Sequence, residues 1–329
     1  MILLRTLRQL ACIAAIAAGL GASTFAPAQT TYPTKPVRIV VPFPPGGPTD
    51  IFARNYGNAL SKVLKQSVVI DNKAGASGAI GTIEVKRSAP DGHTLLFSTA
   101  SSLALYNLMA VKPQYDYLKD FTTIAVVGGS AVVIMANKSA PQTLKALVDL
   151  ARAQPNKLRY GSPGQGTYLH LSMERFLYET GVKIEHIPYK GSGQVKPALL
   201  GGQVELMIEA LSSGLSLHQG GQAKILAIAS AARSPLAPDV PTVDEALGMK
   251  GFEAVLWNGV AVPMGTPAAV VDALAAANAK VLKDPAMQEQ LSKLAMESMD
   301  MTPASSTEFI QSESAKWKPV IEATGLKIE

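Results

Sequence analysis

The order of apolar strands, glycine-rich loops and amphipathic helices constrains this chain more than any other feature of its sequence. The β-branched run Val37–Val41 is followed by a proline- and glycine-rich turn, and then by a helix whose Phe52 and Tyr56 recur at helical spacing. Two further strands, Val68–Ile70 and Thr94–Phe97, follow with a short helix between them. This alternation of strands and helices predicts a parallel α/β sheet.

The same alternation restarts after two β-rich runs between Thr122 and Ala136, which Gly128-Gly129 separates. One more apolar strand, Leu256–Val262, precedes a tail that is helical from Pro267 onwards. Because that tail is too short for a domain with its own sheet, we expect it to pack back on the first unit. The strands predicted between these segments are Lys157–Tyr160, Ile184–Ile187, Val204–Ile208 and Ile225–Ala229.

These two units predict a two-lobed α/β fold with two crossover hinge strands and a central cleft. Domain 1 comprises residues 29–127 and 235–329, and domain 2 comprises residues 128–234. Two lobes that are joined by two crossings can close on a ligand about a hinge, which is the geometry of a binding protein.

The first 28 residues have the layout of a secretory signal peptide. Two arginines form a short positive region, an apolar run follows from Leu10 to about Leu20, and Ala26-Pro27-Ala28 supplies a small-x-small cleavage site. An N-terminal membrane anchor is the alternative, but the apolar run is shorter than the ~20 residues that span a bilayer. We therefore expect an exported chain that is cleaved near Ala28.

Removal of this segment changes the charge and the cysteine count. The full chain of 329 residues carries 30 Lys and Arg against 25 Asp and Glu, a net charge of +5. Without Arg5 and Arg8 the basic residues fall to 28 and the net charge to +3, and the single cysteine, Cys12, is lost. A chain without cysteine has no disulfide framework and no thiolate metal cluster. Dispersed basic residues and an aromatic content of 6% argue against a nucleic-acid partner.

Five loops follow the predicted strands, at the positions where open α/β sheets bind ligands. All are rich in Gly, Ser, Thr or Pro, so their backbone N–H groups and the helix N-termini behind them suit an anion. Ordinary turns between strands and helices use the same residues, and both interpretations stay open. The loops are Pro42–Asp50, Asn72–Gly81, Ser98–Ser102, Gly161–Thr167 and Tyr189–Gln194.

Several residues in these loops also have two possible roles each. Thr49 or Asp50 can cap the helix that follows, and Thr167 can cap the next helix or offer its hydroxyl to a ligand. His170 can face either the cleft or the surface. Enzyme signatures are missing: the chain has no Gly-x-Gly-x-x-Gly, Walker, His-Glu-x-x-His or Gly-x-Ser-x-Gly motif. Because its four histidines lack metal-ligand spacing, we expect no metal. Because the enzyme and nucleotide-binding motifs are missing, we expect no cofactor and no catalytic residue.

A series of motifs follows the mature chain in order. They are Tyr32-Pro-x-Lys35-Pro36-Val-Arg38, Val41-Pro42-Phe43-Pro44-Pro45-Gly46-Gly47-x-x-Asp50, Val68-Val69-x-Asp71-Asn72-Lys73-x-Gly75-Ala76-x-Gly78, Pro90-Asp91-Gly92-His93-Thr94, Tyr160-Gly-Ser162-x-Gly164-x-Gly166-Thr167-x-x-His170, Pro188-Tyr189-Lys190-Gly191 and Pro238-Asp239-Val240-Pro241-Thr242. Together they resemble the Bug-type family, the substrate-binding proteins of tripartite tricarboxylate transporters. The match covers nearly the whole mature chain, and its order makes it specific.

The resemblance implies a periplasmic binding protein of two domains, type II-like, that works as a receptor without a cofactor and not as an enzyme. Such a receptor would capture an organic dicarboxylate, aliphatic or aromatic, and deliver it as a monomer to a two-component membrane permease. A periplasmic sensor domain is an alternative, as is an enzyme on the same two-lobed fold that acts on a small carboxylate.

The resemblance also assigns binding residues to two loops. In the family, the first Pro-Gly-Gly loop holds waters that bridge one carboxylate, and the Ser-x-Gly-x-Gly loop binds with backbone N–H groups and hydroxyls. Ser98 and Thr99, which open the third loop, and Glu209, at the end of a domain 2 strand, complete the candidate set. The residues carried over from the family are Phe43, Gly46, Gly47 and Asp50 for the first loop, and Ser162, Gly164, Gly166, Thr167 and His170 for the second.

Three positions depart from the family pattern. Glu209 follows Met207-Ile208 where relatives often carry Phe-Asp. Gln165 stands where a small residue is common, and Asn258 stands where an aromatic residue is frequent. These departures leave the identity of the ligand open.

Overall fold

The computed structural model describes residues 32–328, so the predicted signal peptide and its cleavage site lie outside the described residues. Within this range no helix combines the length and the apolar character that a membrane span requires. The strands are β1 (Val37–Val41), β2 (Val68–Asn72), β3 (Thr94–Thr99), β4 (Phe121–Ala136), β5 (Arg159–Ser162), β6 (Glu185–Pro188), β7 (Leu206–Ala210), β8 (Lys224–Ala229), β9 (Val255–Pro263) and β10 (Glu297–Ser298).

Helices alternate with these strands along most of the chain, as the sequence predicts. They are α1 (Pro48–Leu64), α2 (Ala79–Lys86), α3 (Tyr106–Met109), α4 (Tyr117–Asp120), α5 (Leu144–Ala153), α6 (Tyr168–Thr180), α7 (Ser192–Leu200), α8 (Leu211–Gln219), α9 (Val243–Leu247), α10 (Ala268–Lys283), α11 (Pro285–Lys293) and α12 (Pro303–Thr324). A 3₁₀ turn, Ala76–Gly78, precedes α2, and a π-helical turn, Ser101–Leu105, precedes α3. The elements that were not predicted from the sequence are α3, α4, α8, α9, β10 and the π-helical turn.

The first sheet places three of the predicted loops at one edge. β2, β1 and β3 are parallel neighbours, and β9 pairs with β3 in the antiparallel sense. Ile39, Val40 and Val41 of β1 are fully buried, as a strand that is covered on both faces requires. Because the three parallel strands end on the same side, the loops after them lie together, and α1 begins beside them.

The long strand β4 joins this first sheet to a second one. Its residues Phe121–Ala131 pair with β9, and Val132–Ala136 pair with β7 and β8. On the far side of β7 lie β5 and β6, which are parallel to it and to each other. The second sheet therefore repeats the parallel arrangement that the sequence predicts for the middle of the chain.

Gly128 and Gly129 lie inside β4, which corrects the expectation that they separate two strands. The ladder to β9 shifts register at this point. Gly128 has a φ of +141°, and a Cβ there would collide with the backbone oxygen of Glu297 in β10. Gly128 therefore permits the close approach of β10, and Gly129, where a Cβ would collide with the backbone of Leu256 and Trp257, permits the close approach of β9.

The segment from Ser230 to Ala254 stays with the second sheet before the chain enters β9. Thr242 pairs with Ile228 of β8, and Val240 belongs to an apolar cluster on that sheet. The Ala254 N–H then donates to the Ala229 carbonyl. The contacts of residues 237–247 are thus with the second sheet, although the sequence analysis assigned residues from 235 onwards to domain 1. The later helices α10 and α12 pack on α1 and on the π-helical turn, respectively.

Candidate functional site

The candidate site is a cavity between the loops of the two sheets, where α1, α6 and α7 begin. The cavity has a volume of about 40 Å³, several times the roughly 10–15 Å³ that one water molecule needs. Its walls combine apolar side chains, hydroxyls and exposed backbone. The lining residues are Phe43, Pro44, Gly47, Pro48, Thr49, Thr99, Ser101, Pro163, Thr167, Tyr168, Leu169, Gly191, Ser192 and Leu256.

Asp50 holds the first loop of the cavity in place. Its carboxylate accepts hydrogen bonds from the Gly46 N–H at 2.9 Å, from Arg54 Nε at 3.0 Å and from Asn72 Nδ2 at 2.9 Å. Burial alone would raise the pKa of Asp50, but these three donors outweigh burial and keep the pKa below its ordinary value. The side chain is buried and does not line the cavity, so the structure gives Asp50 a positioning role.

Asn72, the last residue of β2, completes this arrangement. The Asn72 Nδ2 group also donates to the Phe43 carbonyl at 3.0 Å, so the same amide holds both ends of the first loop. Phe43 and Gly47 line the cavity, whereas Gly46, with a φ of +80°, turns the backbone toward Asp50.

The third loop contributes Thr99 and Ser101 rather than Ser98. Side chains alternate along β3, and Ser98 points to the other face, where its hydroxyl donates to Ser102 Oγ at 3.0 Å. Thr99 lines the cavity and donates to Ser101 Oγ at 3.1 Å. Ser101 in turn accepts from the Tyr168 N–H at 2.9 Å, which ties the third loop to the start of α6. The sequence analysis named the loop but missed Ser101, because the π-helical turn that aims it has no signature in the sequence.

The Ser-x-Gly-x-Gly loop is held from behind by buried side chains. The Ser162 hydroxyl lies 2.7 Å from His186 Nε2 and accepts from the Gly164 N–H at 3.2 Å. Thr167 caps α6, since its Oγ1 accepts from the His170 N–H at 3.3 Å, and it also lines the cavity. Both alternatives for Thr167, cap and cavity residue, are therefore compatible with the structure.

His170 faces neither solvent nor the cavity but lies beneath the loop. Its Nδ1 accepts from the Gly166 N–H at 3.1 Å, and its ring stacks on His186 with the centroids 3.9 Å apart. Burial, followed by the proximity of His170, lowers the pKa of His186 to about 3. The two imidazoles and Ser162 thus form a support for the loop, and His186 is a supporting residue that the sequence analysis missed.

Glu209, the residue before the last of β7, is fully buried. Its Oε1 accepts from the Ala210 N–H at 2.9 Å, whereas Oε2 has no hydrogen-bond partner among the described residues. Ser192 and Ser213 lie close enough to lower the pKa of Glu209, but neither hydroxyl reaches Oε2 in hydrogen-bond geometry. Burial dominates and raises the pKa above its ordinary value. Because Ser192 lines the cavity, Glu209 lies directly behind this wall.

Known proteins of one receptor family match this chain. A family model described as the tripartite tricarboxylate transporter family receptor matches residues 52–326. The chain belongs to this receptor family. Among curated relatives, the protein BugT of Bordetella pertussis is 36% identical to this receptor over 301 residues, which is 91% of this chain and 92% of BugT.

Solved structures show the same fold as this receptor. The periplasmic binding protein BugD is 33% identical with a TM-score of 0.85, over 90% of this chain and 99% of BugD. The R. palustris protein Rpa4515 with adipate is 34% identical with a TM-score of 0.86, over 90% and 99% of the two chains. MatC of Rhodopseudomonas palustris with bound malate is 30% identical with a TM-score of 0.83, over 88% and 100%.

These likenesses confirm the predicted α/β fold of a periplasmic binding protein. The family and its structural neighbours are solute-binding receptors and not enzymes, which confirms that expectation as well. The individual binding residues stay predictions.

Proposed function

We propose that this receptor captures a small organic dicarboxylate in the cavity at the starts of α1, α6 and α7. The observation that carries the proposal is the convergence of three helix N-termini on one cavity, which no Lys or Arg lines among residues 32–328. The first N–H groups of a helix have no partner within the helix and attract negative charge. The cavity is therefore suited to carboxylates, and it would hold them with neutral donors.

The strength of such donors is sufficient for a transport receptor. A hydrogen bond to a carboxylate contributes about 1.5–3 kcal/mol, and a helix N-terminus adds about 0.3–1 kcal/mol. A micromolar dissociation constant corresponds to about −8 kcal/mol, so about four to six neutral donors meet it even after the cost of closure. The apolar side chains of Phe43, Leu169 and Leu256 suit a short carbon chain between two carboxylates.

The adipate and malate in structures of two relatives support a dicarboxylate as the ligand. Candidate donors on this chain are the backbone N–H of Gly47 and the start of α7 at Ser192. The hydroxyls of Thr99 and Thr167 join them if they turn to the ligand from Ser101 and the Gly164 carbonyl, to which they donate in this structure. Phe43, Ser162, Gly164, Gly166 and Glu209 would shape or support these donors, and Asp50 and His170 would position the loops.

We further propose that the cavity closes between two lobes. Contacts that cross it support this mechanism: Tyr168 N–H donates to Ser101, Ser77 donates to the Gln165 carbonyl, and Gly191 abuts Pro44. The sequence places the return crossing at residue 234, but the contacts of the segment before Ala254 support a crossing at the start of β9. The hinge strands would then be β4 and β9.

The delivery partner and the location complete the proposal. A chain of this family with a predicted signal peptide is expected in the periplasm, as a monomer after cleavage near Ala28, where it would pass its ligand to a two-component permease of the tripartite tricarboxylate type. The resemblance of the chain to BugD, which is described as periplasmic, supports the location.

Calorimetric titration of the mature protein from Gln29 tests this function. The panel contains mono-, di- and tricarboxylates, both aliphatic and aromatic, and each mixture is analysed for product afterwards. We expect saturable, single-site binding of at least one short dicarboxylate without chemical change. Absence of binding across the panel, or steady formation of product, would contradict the proposal.

A further inference from the structure

Asn258 lies on the cavity face of β9. It is directly opposite Thr99 in the antiparallel pair of β3 and β9, and residues that are opposite in such a pair project from the same face. Leu256 projects from that face too, because side chains two residues apart along a strand point the same way. Thr99 and Leu256 both line the cavity, so the Asn258 side chain lies next to two lining residues on the same face of the sheet, just beneath the cavity wall.

The Asn258 amide has an acceptor that the surrounding residues do not use. The residue is 2% exposed, and its Oδ1 has no hydrogen-bond partner among the described residues. Neither neighbour across the sheet donates to Oδ1. The Thr99 hydroxyl donates to Ser101, and the residue opposite Asn258 on β4 is Gly128, which has no side chain. A buried acceptor without a partner is unfavourable, so a ligand that brings a proton to Oδ1 is bound more tightly than one that does not.

We infer that Asn258 selects carboxylates that carry a hydroxyl on the carbon chain, by accepting a hydrogen bond from that hydroxyl at Oδ1. The inference rests on the proposed function and narrows its ligand class. Ionised carboxylates and methylene groups bring no proton, so neither satisfies Oδ1, whereas a hydroxyl does. Asn258 is therefore a specificity-determining residue of the same cavity.

Matched pairs of ligands test this role. Calorimetry compares malate with succinate and 2-hydroxyadipate with adipate, so that each pair differs by one hydroxyl. We expect the wild-type protein to bind the hydroxylated member of at least one pair about tenfold more tightly. In Asn258→Leu, which keeps the approximate size but lacks the acceptor, the ratio falls toward one through weaker binding of the hydroxylated acid alone.

Asn278→Leu is the matched control. Asn278 is also 2% exposed, but it accepts from Tyr56 OH in the packing of α10 on α1, away from the cavity, so the ratio should stay at its wild-type value.

Equal wild-type affinities within both pairs would overturn the inference and leave the proposed function intact. Equal weakening of both members by Asn258→Leu would also overturn it, since Asn258 would then bind the carboxylate. Absence of binding by all four acids would overturn both proposals. If Asn258→Leu does not fold, the ratio of wild-type affinities for the hydroxylated and the unsubstituted acid of each pair tests the inference by itself.

Discussion

Replacement of Asp50 by alanine tests how the first loop is held. The carboxylate binds the Gly46 N–H, Asn72 and Arg54 at once. Asp50→Ala removes all of these hydrogen bonds without touching the wall of the cavity. We therefore expect two effects, a loss of stability and a loss of affinity that arises from a loosened loop.

The magnitude follows from the exposure of each partner. Arg54 is half exposed, with 51% of its side chain accessible, so its ion pair contributes only about 0–1 kcal/mol. The bonds from Gly46 and Asn72 to the buried carboxylate contribute about 1.5–3 kcal/mol each, although water can replace part of this at the loop. The expected loss of unfolding free energy is about 2–4 kcal/mol, or roughly 3–6 °C in Tm for a chain of about 300 residues. Two loop residues that become ordered only on binding would cost about 2 kcal/mol, a roughly thirtyfold increase in Kd.

Thermal unfolding and calorimetry of the mature protein measure both effects, with Asp149→Ala as the control. Asp149 forms an exposed ion pair with Lys145 on α5, and such pairs contribute about 0.3–0.5 kcal/mol, so its Tm and Kd should stay close to wild type. Asp50→Ala with wild-type Tm and Kd would refute the reasoning. Abolished binding at unchanged stability would refute it too, because Asp50 would then contact the ligand directly.

Three further substitutions test other parts of the site. Thr167→Val removes the cap of α6 and a cavity hydroxyl, so we expect a loss of about 1 kcal/mol in unfolding free energy and about tenfold weaker binding in calorimetry; unchanged affinity would remove Thr167 from the site. Glu209→Gln removes a buried carboxyl whose pKa is raised in the folded state by burial. This raised pKa lowers the stability of the wild-type protein; the loss is small below the unfolded pKa of about 4.3 and grows as pH rises above it. Chemical denaturation should therefore show a gain of stability over wild type at about pH 7.5 that shrinks at about pH 4, and a gain that does not depend on pH would be inconsistent with this. His186, with a pKa of about 3, binds protons more readily when unfolded, at about pH 6.5, so wild-type stability falls as pH drops from about 6.5 to 3. His186→Gln should show a smaller fall over that range, and an identical fall would contradict the low pKa.

Much of the fold follows from local patterns that the sequence displays openly. The β-branched runs and the glycine-rich turns after them predict the parallel strands and the edge at which the cavity lies. Gly128 and Gly129 suggested a break in β4 because glycine usually weakens strands, and only the close approach of β10 to Gly128 and of β9 to Gly129 explains them. Similarly, α8 was not predicted because its apolar residues alternate with serines that mask the helical period.

The site was predictable to the level of loops, but not of individual side chains. Thr99 and Ser98 are equivalent in sequence, and only the pleat of β3 decides which one lines the cavity. Asp50 resembled a ligand contact because a loop carboxylate gives no indication of its partners, and Arg54 and Asn72 reach it only in the folded chain. His186 was missed as a supporting residue because Ser162 and His170, which it contacts, come from other elements.

A crystal structure of the mature protein with a bound short dicarboxylate tests the central claim most directly. We predict that each carboxylate lies about 2.7–3.1 Å from N–H groups at the starts of α1, α6 or α7 or from the hydroxyls of Thr99 and Thr167. No Lys or Arg side chain should contact the ligand. A dicarboxylate held by a Lys or Arg side chain, or bound outside this cavity, would contradict the account.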